Sequence, residues 1–284
     1  MAETPKTFST TLAPHIHSAD SVAKRYWGQV AALMPLVLAA CFFRRAEFLH
    51  ALLLSLISAV AFEFFSAKLF EKKNKFYHGE AVLIALLTAV LMPSGCPASA
   101  IILANFLALV VAKEFFGGMG EYLFHPVLFA RVFLQGGVPG LMAEPMVFYG
   151  NGWILAAIGL GGLLLLKQRR GYWEIPFLYL AVYSFSDLAL GCRAGDPLGF
   201  FTGVLFTGFF LLVDPVTLPL TRKGTRWFVS GAALLGALLS PRGFSIVAAG
   251  SAILLMNLLT PWLDIWLRPI PHSSRKLLKE GRAQ

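Results

Sequence analysis

Charge is scarce in this chain. Only 14% of its 284 residues are Asp, Glu, Lys or Arg, 57% are hydrophobic, and the mean hydropathy is +0.70. Soluble domains average about 25% charged and 45–50% apolar residues, so the shortage excludes a water-soluble enzyme. Cysteine is scarce too. Cys41, Cys96 and Cys192 lie far apart with no C-x-x-C pair, which excludes a disulfide framework or an iron–sulfur cluster built by this chain alone. Each reads instead as a small buried side chain. Also missing are a Walker loop, a G-x-G-x-x-G after a strand, a His pair on one helix face and a nucleophile–base constellation. No metal site is expected, and His15, His17 and His272 fall in polar tails that read as surface.

What is present is apolar sequence in long runs. Stretches such as 51–65, 101–112, 153–166 and 245–262 hold few or no charges, and a membrane-spanning helix needs about 20 mostly apolar residues. The pattern predicts an all-α polytopic membrane protein with ten transmembrane helices, at 27–43, 47–70, 81–93, 98–112, 123–134, 152–166, 175–190, 198–213, 227–240 and 243–264. Little chain is left between them, so no extramembrane domain is expected. Residues 1–26 form a polar N-terminal segment without the look of a cleavable signal peptide. Residues 27–264 form the membrane domain, with repeats at 27–134 and 152–264, and 265–284 form a basic tail.

The net charge of +9 is explained by where the basic residues sit. With a cytoplasmic N-terminus, 18 of the 24 fall in inside segments, Lys113 among them, and four (Arg44, Arg45, Arg193, Arg242) fall outside. That bias orients the chain with both termini cytoplasmic. Nucleic acid is not needed as a partner.

Two runs stop early. Residues 81–92 end at Pro93, and 198–213 end at Asp214-Pro215. Proline removes a backbone donor and disfavours helix in the residue before it. Each run is the third span of a five-span half, and an odd number of spans inverts the second half relative to the first. Interrupted helices at matching places point to a binding site near the midplane. The same prolines also suit short helices that end at loops, in which case Asp214 is a solvated loop acid. Glu80 and Lys113 can likewise be ordinary charges at helix ends. Gly117, Gly118 and Gly120 allow close backbone approach. Arg131, within an apolar span, needs an acidic, carbonyl or anionic partner, for which Glu63 and Glu114 are candidates. His125 reads as a hydrogen-bonded interior residue.

Several strings, in order, carry a resemblance. His78-Gly79-Glu80 opens a helix ending at Pro93. Lys113-Glu114-Phe115-Phe116-Gly117-Gly118-Met119-Gly120 precedes Phe124-His125-Pro126-Val127 and Arg131. Trp173-Glu174-Ile175-Pro176 follows a basic loop, and residues 203–217 read GVLFTGFFLLVDPVT. The chain resembles the D-type membrane subunits of Rnf electron-transport complexes, whose signature is shared by the B-type membrane subunits of the sodium-pumping NADH:quinone oxidoreductase (Nqr). The resemblance runs from about residue 75 to 268.

It implies two inverted five-helix repeats with broken third helices, similar to urea transporters. It also implies a place in a bacterial inner-membrane redox complex whose other membrane and peripheral subunits supply the NADH chemistry and iron–sulfur centres. In that setting Gly117, Gly118, Gly120, Phe124, His125 and Arg131 would pack against a flavin, a quinone or a partner helix, and Asp214 and Thr217 would line an ion pathway. Members carry FMN as a phosphoester on the threonine of an S-G-A-T motif after this helix. Here the loop between Leu134 and Trp153 has no threonine, and S-G-A-T occurs nowhere. Without that hydroxyl the ester cannot form, so any flavin, FMN or riboflavin, would be noncovalent. The expected role is an electron-transferring or non-catalytic subunit that supports Na+ or H+ movement. A small-solute channel on the same fold, or a structural anchor, is the alternative.

Overall fold

The computed structural model describes residues 21–71, 76–93, 95–137, 151–168, 173–191, 196–214, 216–240 and 243–268. Among them regular structure is entirely helical. The N- and C-terminal tails, Cys192 and most of the threonine-free loop, residues 138–150, lie outside the described residues.

The first element, α1 (Val22–Leu69), is capped by the Ser21 hydroxyl, which accepts from the Lys24 backbone N–H at 3.2 Å. A straight helix of its 48 residues would be about 72 Å long, more than twice the hydrocarbon thickness of a bilayer. It is not straight. Arg45 adopts φ 42°, ψ −118°, outside helical space. Tyr26 near the start of α1 and Glu63 near its end both reach one small cluster around Glu80 and Lys113. The helix is therefore folded back on itself at Arg45 into two arms.

The chain continues as α2 (Glu80–Leu91) and α3 (Ala98–Phe106), the latter running on as π-helix through Leu107–Phe115. Next come α4 (Pro126–Gly137), α5 (Gly152–Gln168) and α6 (Glu174–Ala189). α7 (Pro197–Phe206) ends in a π-helical stretch, Thr207–Leu211, and α8 (Arg222–Leu238) and α9 (Ile246–Trp266) complete the bundle. By length and composition Val22–Leu69, Ala98–Phe115 and Ile246–Trp266 can each cross a bilayer. At about 1.5 Å per residue the 12-residue α2 cannot. It stops because Met92 turns extended, φ −78°, ψ 141°, ahead of Pro93.

Packing divides the bundle into two groups. α1 packs on α2 and α3, α6 and α9 pack on α8, and the groups meet where α1 touches α5 and α4 touches α9. Small residues set the spacing at the α1–α5 seam: a β-carbon on Gly161 would strike the carbonyl oxygen of Ala32. The interior is aliphatic and aromatic, with Leu33, Leu36, Val90, Leu109, Leu128, Tyr179 and Phe228 all at 1% exposure or less. One polar knot ties the first group together. The Asn105 amide donates to the Ser55 carbonyl (3.2 Å), the Ser55 hydroxyl (2.9 Å) and the Ser58 hydroxyl (2.8 Å), and Ser55 donates to the Ala85 carbonyl.

The outer surface is apolar to a degree that water does not tolerate. Phe42, Phe185, Leu188 and Ile265 are each more than 70% exposed. Cys41 and Cys96 are free and half-buried rather than fully buried.

Candidate functional site

Helices that alternate in direction bring distant ends together, and one end of this bundle gathers most of the interior charge. Lys113, 1% exposed, lies between the carboxylates of Glu63 at 2.8 Å and Glu80 at 3.0 Å, with Glu114 at 3.7 Å. Lys113, counted among the inside-segment charges and readable as an ordinary charge at a helix end, is instead buried and ion-paired. The helical rod extends to Phe115, and its π-helical turns, which rotate whatever follows them, leave Lys113 facing inward while Phe115 and Phe116 face out. Glu63 and Glu114 were candidate partners for Arg131; they pair with Lys113 instead. The guanidinium of Arg131, wholly buried, donates to the side-chain carbonyl of Gln135 at 3.0 Å. That is a carbonyl partner one helical turn away.

From this cluster a chain of oxygen atoms runs into the second group of helices. The Tyr26 hydroxyl donates to Glu80 Oε1 at 3.0 Å, and the Tyr122 hydroxyl donates to Asp214 Oδ1 at 3.4 Å. Tyr26, Glu80, Tyr122, His125 and Asp214 share the wall of a cavity of about 20 Å3, enough for one water molecule or one small ion. Asp214, 7% exposed, is a buried residue rather than a solvated loop acid. Its Oδ2 accepts from the Thr217 hydroxyl at 3.4 Å and its Oδ1 from the Val216 N–H at 3.3 Å. The turn after the π-helical end of α7 thus closes on Asp214 and carries it inward.

Tyr26 also lines a second, open cavity of about 630 Å3, together with Arg25, His78, Met119, Gly120, Thr260 and Asp264. This one is large enough for a cofactor or a drug-sized ligand. One side chain, Tyr26, is the partition between an outer vestibule and an inner pocket the size of an ion.

The glycine-rich stretch is explained by backbone shape. Gly117, Gly118 and Gly120 have φ of +126°, +98° and +90°, left-handed conformations that side-chain-bearing residues avoid. They reverse the chain between α3 and α4, and a β-carbon on Gly120 would meet open space. Phe124 sits in an aromatic row, 5.3 Å from Phe116 and 5.8 Å from Phe129 between ring centroids. His125 Nδ1 accepts the Leu128 N–H at 3.4 Å, so the imidazole caps the start of α4.

Of the six residues expected around a flavin, Gly120 borders the large cavity and His125 the small one, and Arg131 is wholly buried. Tyr26, Tyr122, Glu63, Glu80 and Lys113 were missed as a set. The signal available was three charges inside or at the edges of apolar runs, which in a bilayer must compensate one another.

The NQR2, RnfD, RnfE family matches residues 9–154 and 146–272. The chain belongs to that family. Among its relatives is the D subunit of an ion-translocating oxidoreductase complex of Methanosarcina acetivorans, 30% identical over 93% of this chain and 96% of the relative. The D subunit of the proton-translocating ferredoxin:NAD(+) oxidoreductase complex of Clostridium ljungdahlii is 27% identical, covering 95% and 97%. The Na(+)-translocating counterpart of Acetobacterium woodii is 26% identical, covering 95% and 97%. Both groups of helices, and both carboxylates of the inner cavity, fall within the family match.

Proposed function

We propose that this chain is the integral membrane D-type subunit of an Rnf- or Nqr-type complex and supports electron transfer coupled to Na+ or H+ movement. The observation that carries the reading is the meeting of Glu80 and Asp214, from the two groups of helices, on one ion-sized cavity behind an open vestibule. Carboxylates and tyrosine hydroxyls are oxygen donors of the kind that replace the hydration shell of a small hard cation or pass a proton. Asp214 and Thr217 would form the second-group wall of the pathway, and Tyr26 the gate between vestibule and pocket.

If the two arms of α1 are taken separately, and α3 and α7 each with its π-helical end, the rods number ten. We read them as two inverted five-helix repeats of the urea-transporter kind, with α2 and α7 as the broken third helices. The chain would sit in a bacterial inner membrane with both termini cytoplasmic. The interior cluster and the vestibule would then face the cytoplasm, together with Arg25, Arg222, Lys223, Arg226 and Arg268. Other membrane and peripheral subunits of the complex would be the partners.

A planar redox ring, a noncovalent flavin or a quinone, fits the vestibule beside Gly120 by size. Arg25 and His78 stand there as donors for its polar edge, and Gly120, with no side chain, leaves open space beside it. A bound flavin supplies one- and two-electron transfer. The residues of this chain hold, orient and screen it.

The test uses the complex purified from native membranes. Copurifying redox subunits, with flavin released on denaturation rather than retained by this chain, are expected. Asp214→Asn should abolish ion uptake into vesicles while assembly and flavin content stay at wild-type levels. A colourless protein without redox partners, conducting a solute by itself, overturns the reading. Full ion uptake by Asp214→Asn removes the pathway.

A further inference from the structure

A third cavity, of about 260 Å3, lies between the starts of α6 and α8 and shares only Leu220 with the vestibule. Its lining combines Arg222 and Arg226, one helical turn apart on α8, and Glu174 with Ile175, Leu178 and Val229, and Leu178 and Val229 lie about one turn further along their helices than Glu174 and Arg226. Arg226 Nε donates to Glu174 Oε2 at 2.8 Å, an exposed pair. Arg222 makes no ion pair among the described residues. With one carboxylate against two guanidiniums, the polar wall keeps a net positive charge.

The surroundings mark the depth. Trp173 and Trp227, at the starts of the same two helices, are 55% and 65% exposed, and Phe177 and Leu220 beside them are also open. Exposed tryptophans at helix ends are the signature of the headgroup level of a bilayer. A pocket that is cationic at the headgroup level and aliphatic toward the membrane interior has the polarity of one lipid: phosphate outward, chains inward. The first turn of α8 also holds no acid, only arginine and lysine against the positive end of the helix dipole. An anion there relieves a repulsion that the chain itself leaves standing.

We infer that this cavity binds the phosphate of an anionic glycerophospholipid, held by the forks of Arg222 and Arg226, with an acyl chain along Leu178 and Val229. Arginine suits the task because its planar donors match phosphate oxygens in pairs. At 260 Å3 the cavity takes the headgroup and the first methylenes, and the rest of the chain runs down the exposed apolar face. The site requires only that the chain spans a bilayer. It is independent of any redox partner, so it stands or falls separately from the ion pathway.

The test is native mass spectrometry of the purified complex after exchange into phosphatidylcholine vesicles carrying a minor fraction of phosphatidylglycerol. The wild-type complex should retain phosphatidylglycerol well above its share of the vesicle. Each arginine removed should lower that retention roughly fivefold, so R222Q/R226Q should lose the enrichment while K223Q, outside the cavity wall, keeps it. Should R222Q/R226Q fail to insert, Leu178→Trp fills the acyl side with both charges intact and should also release the lipid. No enrichment in the wild type, or equal retention by R222Q/R226Q, overturns the proposal. Displacement of the lipid by millimolar inorganic phosphate would identify free phosphate as the ligand and overturn it. So would a photoreactive side chain in place of Lys223 that crosslinks to an acidic segment of another protein of the complex and not to lipid.

Discussion

Two ion pairs in this molecule have the same 2.8 Å contact: Lys113 with Glu63, and Arg226 with Glu174. The side chains of the first pair are 1% and 7% exposed, those of the second 58% and 28%. The distance says nothing about what each does. Removing Lys113 from water costs several kcal/mol per ion, repaid only because a second carboxylate, Glu80, completes the set. The Arg226 pair is solvated and screened, and pairs of that kind contribute about 0–1 kcal/mol. The buried set holds three helices in one arrangement and belongs to the architecture. The exposed pair can open without consequence for the fold, which leaves its arginine available to a phosphate.

The largest effect that would break this contrast is expected at the buried end. Lys113→Met strands the carboxylates of Glu63, Glu80 and Glu114 and should destabilise the chain by about 3–5 kcal/mol, visible as a lower Tm in detergent and a lower yield in membranes. The quadruple change K113M/E63Q/E80Q/E114Q removes the charges of the cluster and should recover most of that loss. Failure to recover would assign the cost to packing.

Next in size is Tyr26→Phe, which takes the hydroxyl from Glu80 Oε1 and should cost about 1–3 kcal/mol. It also takes away the hydroxyl that Tyr26 presents between vestibule and inner cavity while leaving the ring, so it should change the rate of ion uptake with assembly unchanged. Thr221→Ala removes the side chain that accepts from the Gly224 N–H at 2.9 Å at the start of α8. It should cost about 1 kcal/mol, without salt dependence. Smallest is Arg226→Ala, expected to change stability by no more than about 1 kcal/mol in detergent, less in high salt. An effect there as large as that of Lys113→Met would end the distinction between the two pairs.

Much of this was legible in the chain. Apolar runs locate the helices because the membrane requires them, and Pro93 marks the early stop of α2 because proline disfavours helix in the residue before it. The motifs around Gly117–Gly120 and Asp214 give the family because their spacing is local. What escaped was whatever depends on residues far apart. Lys113 reads as a helix-end charge because its partners lie 50 and 33 positions back, at Glu63 and Glu80. The glycines read as a place for close approach, whereas their positive φ shows a reversal of direction.

The sequence by itself determined that this chain is an apolar, all-helical membrane protein and which family it belongs to. Hydrophobic length, proline geometry and motif spacing act within one stretch of chain. Only the tertiary structure decided which charges neutralise one another, that Tyr26 stands between two cavities, and that Glu80 and Asp214 share the inner one. Those facts arise where α1 folds back at Arg45 and the two groups of helices close on each other. In a low-dielectric interior, such a meeting turns isolated charges into a site.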